Sequence, residues 1–142
     1  MSAETIHASA VAIDGRAVLI MGPSGAGKSD LALRLIDRGA LLVSDDYIMA
    51  RQSAGLVLAE PPATIAGLIE VRGLGIVSMP HVSQVPIALV VRLENAVERM
   101  PEQGLTRSIA GIEVPEVAID AREASAPIKV ELALRRLLDG TL

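Results

Sequence analysis

Gly22-Pro23-Ser24-Gly25-Ala26-Gly27-Lys28-Ser29 lies between the apolar run Ala17-Val18-Leu19-Ile20-Met21 and the segment Asp30 to Arg38, where leucines recur at helical spacing. The octapeptide is a full Gly-x-x-x-x-Gly-Lys-Ser string, and strand-loop-helix is the context in which that string binds phosphate. Several backbone N–H groups must approach one anion, and Gly22, Gly25 and Gly27 let the chain curl without a Cβ in the way. Pro23, Ser24 and Ala26 complete the loop. Lys28 is placed to reach the β- and γ-phosphates and Ser29 to offer a hydroxyl to Mg²⁺. The start of the following helix adds its partial positive charge. The expected ligand is a nucleoside triphosphate.

Composition narrows the class. With 142 residues, 51% of them hydrophobic, the chain suffices for one substantial core but not for a P-loop domain plus a large second domain. A single domain over residues 1–142 is expected. Aromatic residues make up 1%, Tyr47 alone, so the core is expected to be aliphatic and filled out by methionine, and base stacking on aromatic platforms is not available. The net charge of −4 and pI near 5.1 point away from nucleic acid, which is bound through clustered Lys and Arg. Zero cysteines suit a reducing compartment, and the cytoplasm is expected. Mean hydropathy is high at +0.47, yet no apolar run reaches the roughly 20 residues of a membrane span, and Met1-Ser2-Ala3-Glu4 has no export-signal character.

Periodicity supplies a coarse map. Ala10 to Ile13 and Ala17 to Met21 flank Asp14-Gly15, a dipeptide that favours positive φ at both turn positions, so a hairpin feeding the phosphate loop is predicted. A helix over about 28–38 buries Leu31, Ala32, Leu35 and Ile36, leaves Arg34, Asp37 and Arg38 to solvent, and stops at Gly39. Ala40 to Ser44 reads as a buried strand ending on Asp45-Asp46. Tyr47 to Arg51 and Leu56 to Ala59 read as two arms around 52–55. Later strands are expected at Leu68 to Val71, Gly75 to Met79, Ile87 to Leu93 and Ile112 to Ile119, giving a mostly late, irregular sheet. A closing helix over about 127–138 carries Val130, Leu134, Leu137 and Leu138 on one face.

The chemistry turns on the groups around the triphosphate. A carboxylate at the tip of the strand after a P-loop unit can face the metal or the attacking nucleophile. Strand neighbours point to opposite faces, so one of Asp45 and Asp46 is expected to face the γ-phosphate while the other bonds to the scaffold. A solvated Asp-Asp turn accounts for the pair equally well on this pattern alone. In Ile69-Glu70-Val71-Arg72-Gly73-Leu74-Gly75-Ile76, Glu70 and Arg72 stand two apart in a predicted strand, on one face. An exposed strand with alternating charge explains that pattern too.

Together these residues resemble HPr kinase/phosphorylase, which phosphorylates a serine of the phosphocarrier HPr in the bacterial phosphotransferase system. The resemblance rests on Gly22 to Ser29, on Leu42-Val43-Ser44-Asp45-Asp46 and on the signature-like stretch Ile69 to Ile76. His7 and the late Arg99, in Glu98-Arg99-Met100-Pro101, add to it. It implies an α/β fold of the P-loop-containing, PEP carboxykinase-like type, with a mixed sheet and few helices. It further implies that ATP is the donor and that Ser29 and Glu70 hold Mg²⁺. Asp46 would be the general base, with Asp45 and His7 arranged around it, Lys28 and Arg99 on the transferred phosphoryl group, and Arg72 in the wall. HPr as substrate and a homo-hexamer are also implied, with no membrane or nucleic-acid partner.

The chain resembles the short form of the family, consisting of the catalytic domain alone. The family's reverse reaction, dephosphorylation by inorganic phosphate to give pyrophosphate, goes with a Val-Pro-Val-Arg-Pro-Gly-Arg-Asn type segment. Here Val114-Pro115 is followed by Glu116 to Ser125, in which Arg122 is the one arginine. Two other classes stay in view: a P-loop kinase of small molecules, which would carry an arginine-rich lid, and a module that senses ATP without transferring it. A GTP-dependent switch would need an Asn-Lys-x-Asp type string, which the sequence does not contain.

Overall fold

The computed structural model describes residues 3–140, so the two ends of the expected 1–142 domain lie outside the described residues. The chain runs through β1 (Ala3–His7), β2 (Ser9–Ile13), β3 (Arg16–Met21), α1 (Lys28–Asp37), β4 (Leu41–Ser44), β5 (Tyr47–Ser53) and β6 (Leu56–Glu60). It continues through β7 (Leu68–Val71), β8 (Gly75–Ser78), β9 (Val85–Leu93), β10 (Thr106–Ile109), β11 (Ile112–Ile119) and α2 (Ala126–Leu138). The architecture is α/β, a mixed sheet with few helices, as expected.

The nine-stranded sheet has the order β1-β5-β6-β9-β3-β2-β4, with β11 also on β9 and β10 on β11. The expectation of a mostly late sheet is corrected: six of the first seven strands along that path precede residue 61, and only β7 and β8 stand apart as a two-stranded ribbon. Asp14 and Gly15 have φ of 50° and 78°, the twin positive values that a tight hairpin turn between β2 and β3 requires. The sequence reading missed β1 and β10.

Strand direction gathers the functional residues. β3, β9 and β11 are parallel, with Met21 opposite Arg92 and Ile119 opposite Leu93, so their C-terminal ends share one end of the sheet. β2 runs antiparallel to both β3 and β4, pairing Ser9 with Ile20 and Ala10 with Ser44. The end of β4 therefore meets the end of β3, and the start of β2 lies between them. β1 pairs with β5 so that His7 faces Tyr47, at the same end. Open α/β sheets place ligands beyond the carboxyl ends of parallel strands.

The central strands are buried on both faces. Ala10, Ala12, Ala17 and Leu19 pack with Val43, Ile48, Ala50 and Ala59 on one side. Val11, Val18 and Ile20 pack with Leu31, Ala32 and Leu35 of α1 and Val130 and Leu134 of α2 on the other. Each fully buried leucine or isoleucine contributes about 1.5–3 kcal/mol relative to exposure. Small side chains fill the first layer without aromatics. The expectation of a methionine-filled core is corrected: Met21 and Met79 sit at its margins, and Met49 and Met100 are exposed. In α2, Leu138, the last helical residue, is exposed rather than part of the buried face, which Val130, Leu134 and Leu137 make up. Among the described residues no helix is long and apolar enough to cross a membrane.

Candidate active site

The phosphate loop joins β3 to α1. Gly25 and Gly27 have φ of 81° and 103°, where an L side chain is strained, and a Cβ at Gly27 would also stand 3.3 Å from the Ala121 Cβ. Gly22 is needed for closeness rather than for positive φ, since a Cβ there would meet Leu93 Cβ at 3.2 Å and Ala26 Cβ at 3.3 Å. The Ala26 N–H donates to Pro23 O at 3.1 Å and closes the turn. Lys28 is buried at the head of α1, and its Nζ donates to Gly22 O at 2.8 Å and Pro23 O at 3.0 Å. A phosphate would offer that ammonium a charged acceptor in place of two carbonyls.

The two aspartates differ sharply. Asp45 is buried; its Oδ1 accepts hydrogen bonds from the Ser29 hydroxyl at 2.6 Å and the Ser9 hydroxyl at 2.7 Å, and its Oδ2 from the Glu70 N–H at 2.9 Å. Asp46 is exposed and has φ of 72°, and the Tyr47 N–H donates across it to Asp45 O at 2.8 Å. That is a γ-turn with positive φ, a rare and strained three-residue reversal. His7 Nε2 lies 3.0 Å from Asp46 Oδ1, and the His7 ring packs against Tyr47 with centroids 5.0 Å apart. The structure thus joins Lys28, Ser29, Asp45, Asp46 and His7 in one place.

Two residues of the predicted set arrive differently. Glu70 reaches the cluster through its backbone N–H, and its side chain, on the opposite face from buried Ile69, is exposed. Arg72 lies in the β7–β8 turn, beyond the last strand residue Val71, so the shared-face argument for Glu70 and Arg72 is corrected: Gly73, at φ of 88°, bends the chain too early. Ser9 and Tyr47 were not foreseen. Ser9 had a signal, as the one hydroxyl in an apolar strand.

The donor set fits a magnesium nucleotide. Asp45 is a buried carboxylate with no ion pair among the described residues, and it touches the hydroxyl that heads α1. Among the described residues no group of three or more His, Cys, Asp or Glu side chains is arranged to hold a metal by itself. Mg²⁺ does not need one, since it keeps waters and uses one or two carboxylates together with substrate phosphates.

A family model described as HPr Serine kinase C-terminal domain matches residues 1–137. This chain belongs to that family. Among its relatives are HPr kinase/phosphorylases of Bordetella pertussis, 33% identical over 94% of this chain and 48% of theirs, and of Caldicellulosiruptor bescii, 36% identical over 91% and 46%. The chain spans about half the length of these curated relatives. The solved structure of the Hpr(Ser) kinase/phosphatase from Coxiella burnetii superposes with a TM-score of 0.83 at 32% identity, covering 96% of this chain and 97% of that one.

In this member of the family the late segment packs against the phosphate loop and α1. Arg34 of α1 donates to Ala121 O at 2.6 Å and Glu123 O at 3.2 Å. Arg122 donates from its guanidinium and its backbone to Asp120, which also accepts from the Ala96 backbone; the guanidinium is the first cause holding the Asp120 carboxyl well below the usual carboxylate range. Arg99 lies on the loop after β9, in the wall of a cavity of about 660 Å³ shared with Asp120, Glu116 and α2. It makes no hydrogen bond or ion pair among the described residues, and neither Asp45 nor Asp46 lines that cavity.

Proposed function

We propose that this domain is an ATP- and Mg²⁺-dependent protein serine kinase whose acceptor is a serine of HPr. The observation that carries the reading is the Ser29–Asp45 hydrogen bond of 2.6 Å, which ties the phosphate loop to a strand tip whose next residue, Asp46, is exposed beside His7. Lys28 and the N–H groups at the start of α1 bind the β- and γ-phosphates, as first-turn donors have no intrahelical partners. Ser29, backed by the Asp45 carboxylate and joined by the exposed Glu70 side chain, would hold Mg²⁺, which when bound would offset the negative charge of the phosphates.

Asp46 accepts the proton of the serine hydroxyl as that oxygen bonds to the γ-phosphorus and the bond to the ADP oxygen breaks. His7 orients the carboxylate that takes it. Asp45 stays in place as the acceptor that positions Ser29 and the β7–β8 ribbon. Arg99, on its loop, would come to the transferred group, and Arg72 belongs to the rim. Phosphoryl transfer asks little more than positioning and electrostatic stabilisation, and these are the groups for it. We extend the reading to the cytoplasm and to a homo-hexamer.

The test is incubation of the purified protein with Mg²⁺, labelled ATP and HPr, with the acceptor mapped by mass spectrometry. Phosphoserine on HPr is the expected result, and a chase with excess phosphate that releases pyrophosphate would extend the activity to the reverse reaction. Tight ATP binding with no transfer to HPr would overturn the reading.

A further inference from the structure

Ser9 is fully buried between Ala8 and Ala10, at the start of a strand whose other residues are apolar. A hydroxyl in such a place is costly unless both its hydrogen and its lone pairs are used. Here they are: Ser9 Oγ donates to Asp45 Oδ1 at 2.7 Å and accepts from the Asp46 N–H at 3.3 Å. One atom therefore holds the side chain of the first aspartate and the backbone of the second. The held backbone is the strained one, with φ of 72°.

We propose that Ser9 is a positioning residue for phosphoryl transfer, its hydroxyl clamping the Asp45-Asp46 turn so that the Asp46 carboxylate stays beside His7 and off the scaffold. The inference rests on the function proposed above. Without the hydroxyl, the Asp46 N–H loses its partner and the left-handed turn loses a restraint, while Asp45 keeps Ser29 and the Glu70 N–H. ATP binding is thus preserved and the geometry of the base is not. A residue that merely filled space would affect both or neither.

Ser9→Ala removes one oxygen and adds no bulk. In steady-state transfer to HPr, kcat should fall about tenfold, the scale of a lost hydrogen bond to a charged site, while KM for ATP stays within about twofold. By amide hydrogen exchange, the Asp46 N–H should exchange about tenfold faster, the opening that one lost hydrogen bond permits, with Leu19 and Val43 unchanged. An unchanged kcat, or a KM for ATP that rises as much as kcat falls, overturns the proposal. Should the wild-type protein transfer nothing to HPr, the kinase reading fails on its own. Exchange then decides the clamp alone: acceleration at Asp46 supports it and unaltered exchange overturns it.

Discussion

Asp45 and Asp46 are neighbours in sequence with opposite circumstances, and the difference comes from one peptide unit. Positive φ at Asp46 turns its carboxylate out to His7, while Asp45 is left inside to accept three hydrogen bonds. Aspartate tolerates that region better than most residues because its short polar side chain bonds locally. The sequence pattern gave the division of labour between the two acids but not its cause, since a γ-turn has no periodicity to read. The phosphate loop shows the same limit. Its glycines were plain in the octapeptide, yet only the structure separates Gly25, strained but open, from Gly27, strained and 3.3 Å from Ala121. Gly27→Ala should weaken ATP binding by at least about tenfold, and Gly25→Ala by less, because backbone strain alone costs about 1–3 kcal/mol. Titration calorimetry of both variants measures this; equal losses would contradict the packing role of Ala121.

Among the elements, those with strong alternation and turn chemistry were legible, and those at edges were not. The hairpin of β2 and β3 and helices α1 and α2 fall within a residue or two of their expected places. β1 contributes only Ile6 to the core and β10 only Ile109, so neither shows an alternating apolar face; β1 is a strand because the distant β5 pairs with it, and β10 because the adjoining β11 does. The segment after β11 binds two other elements, α1 through Arg34 and the β9–β10 loop through Ala96, and is braced internally by the Asp120–Arg122 pair. Since the folded carboxyl of Asp120 titrates below its ordinary value, the pair stabilises the fold fully above about pH 4, the unfolded value. That stabilisation is lost as pH falls toward the folded value. The melting temperature of Asp120→Asn should therefore lie below wild type by a constant amount from pH 5 to 8, with the gap closing below about pH 4. A gap that closes above pH 5 would contradict the assignment.

At the scale of the molecule, the site exists because of strand direction. Three strands that run the same way and one that runs against them bring the ends of β3, β4 and β9 and the start of β2 to one end of the sheet, which joins residues as distant in sequence as His7 and Asp46. No local pattern encodes that order, and for this reason the resemblance to the HPr kinases, not periodicity, supplied the link between the phosphate loop and His7. The aliphatic core suits the design, as small side chains let the central strands be covered on both faces. The account as a whole stands on Asp46 taking the serine proton from within this frame. Asp46→Asn keeps the shape, since asparagine adopts positive φ readily, and removes the basicity. With HPr and MgATP, ATP affinity should stay within about twofold while kcat falls by about 10²–10⁴, the range for a general base; a kcat equal to wild type would contradict the account.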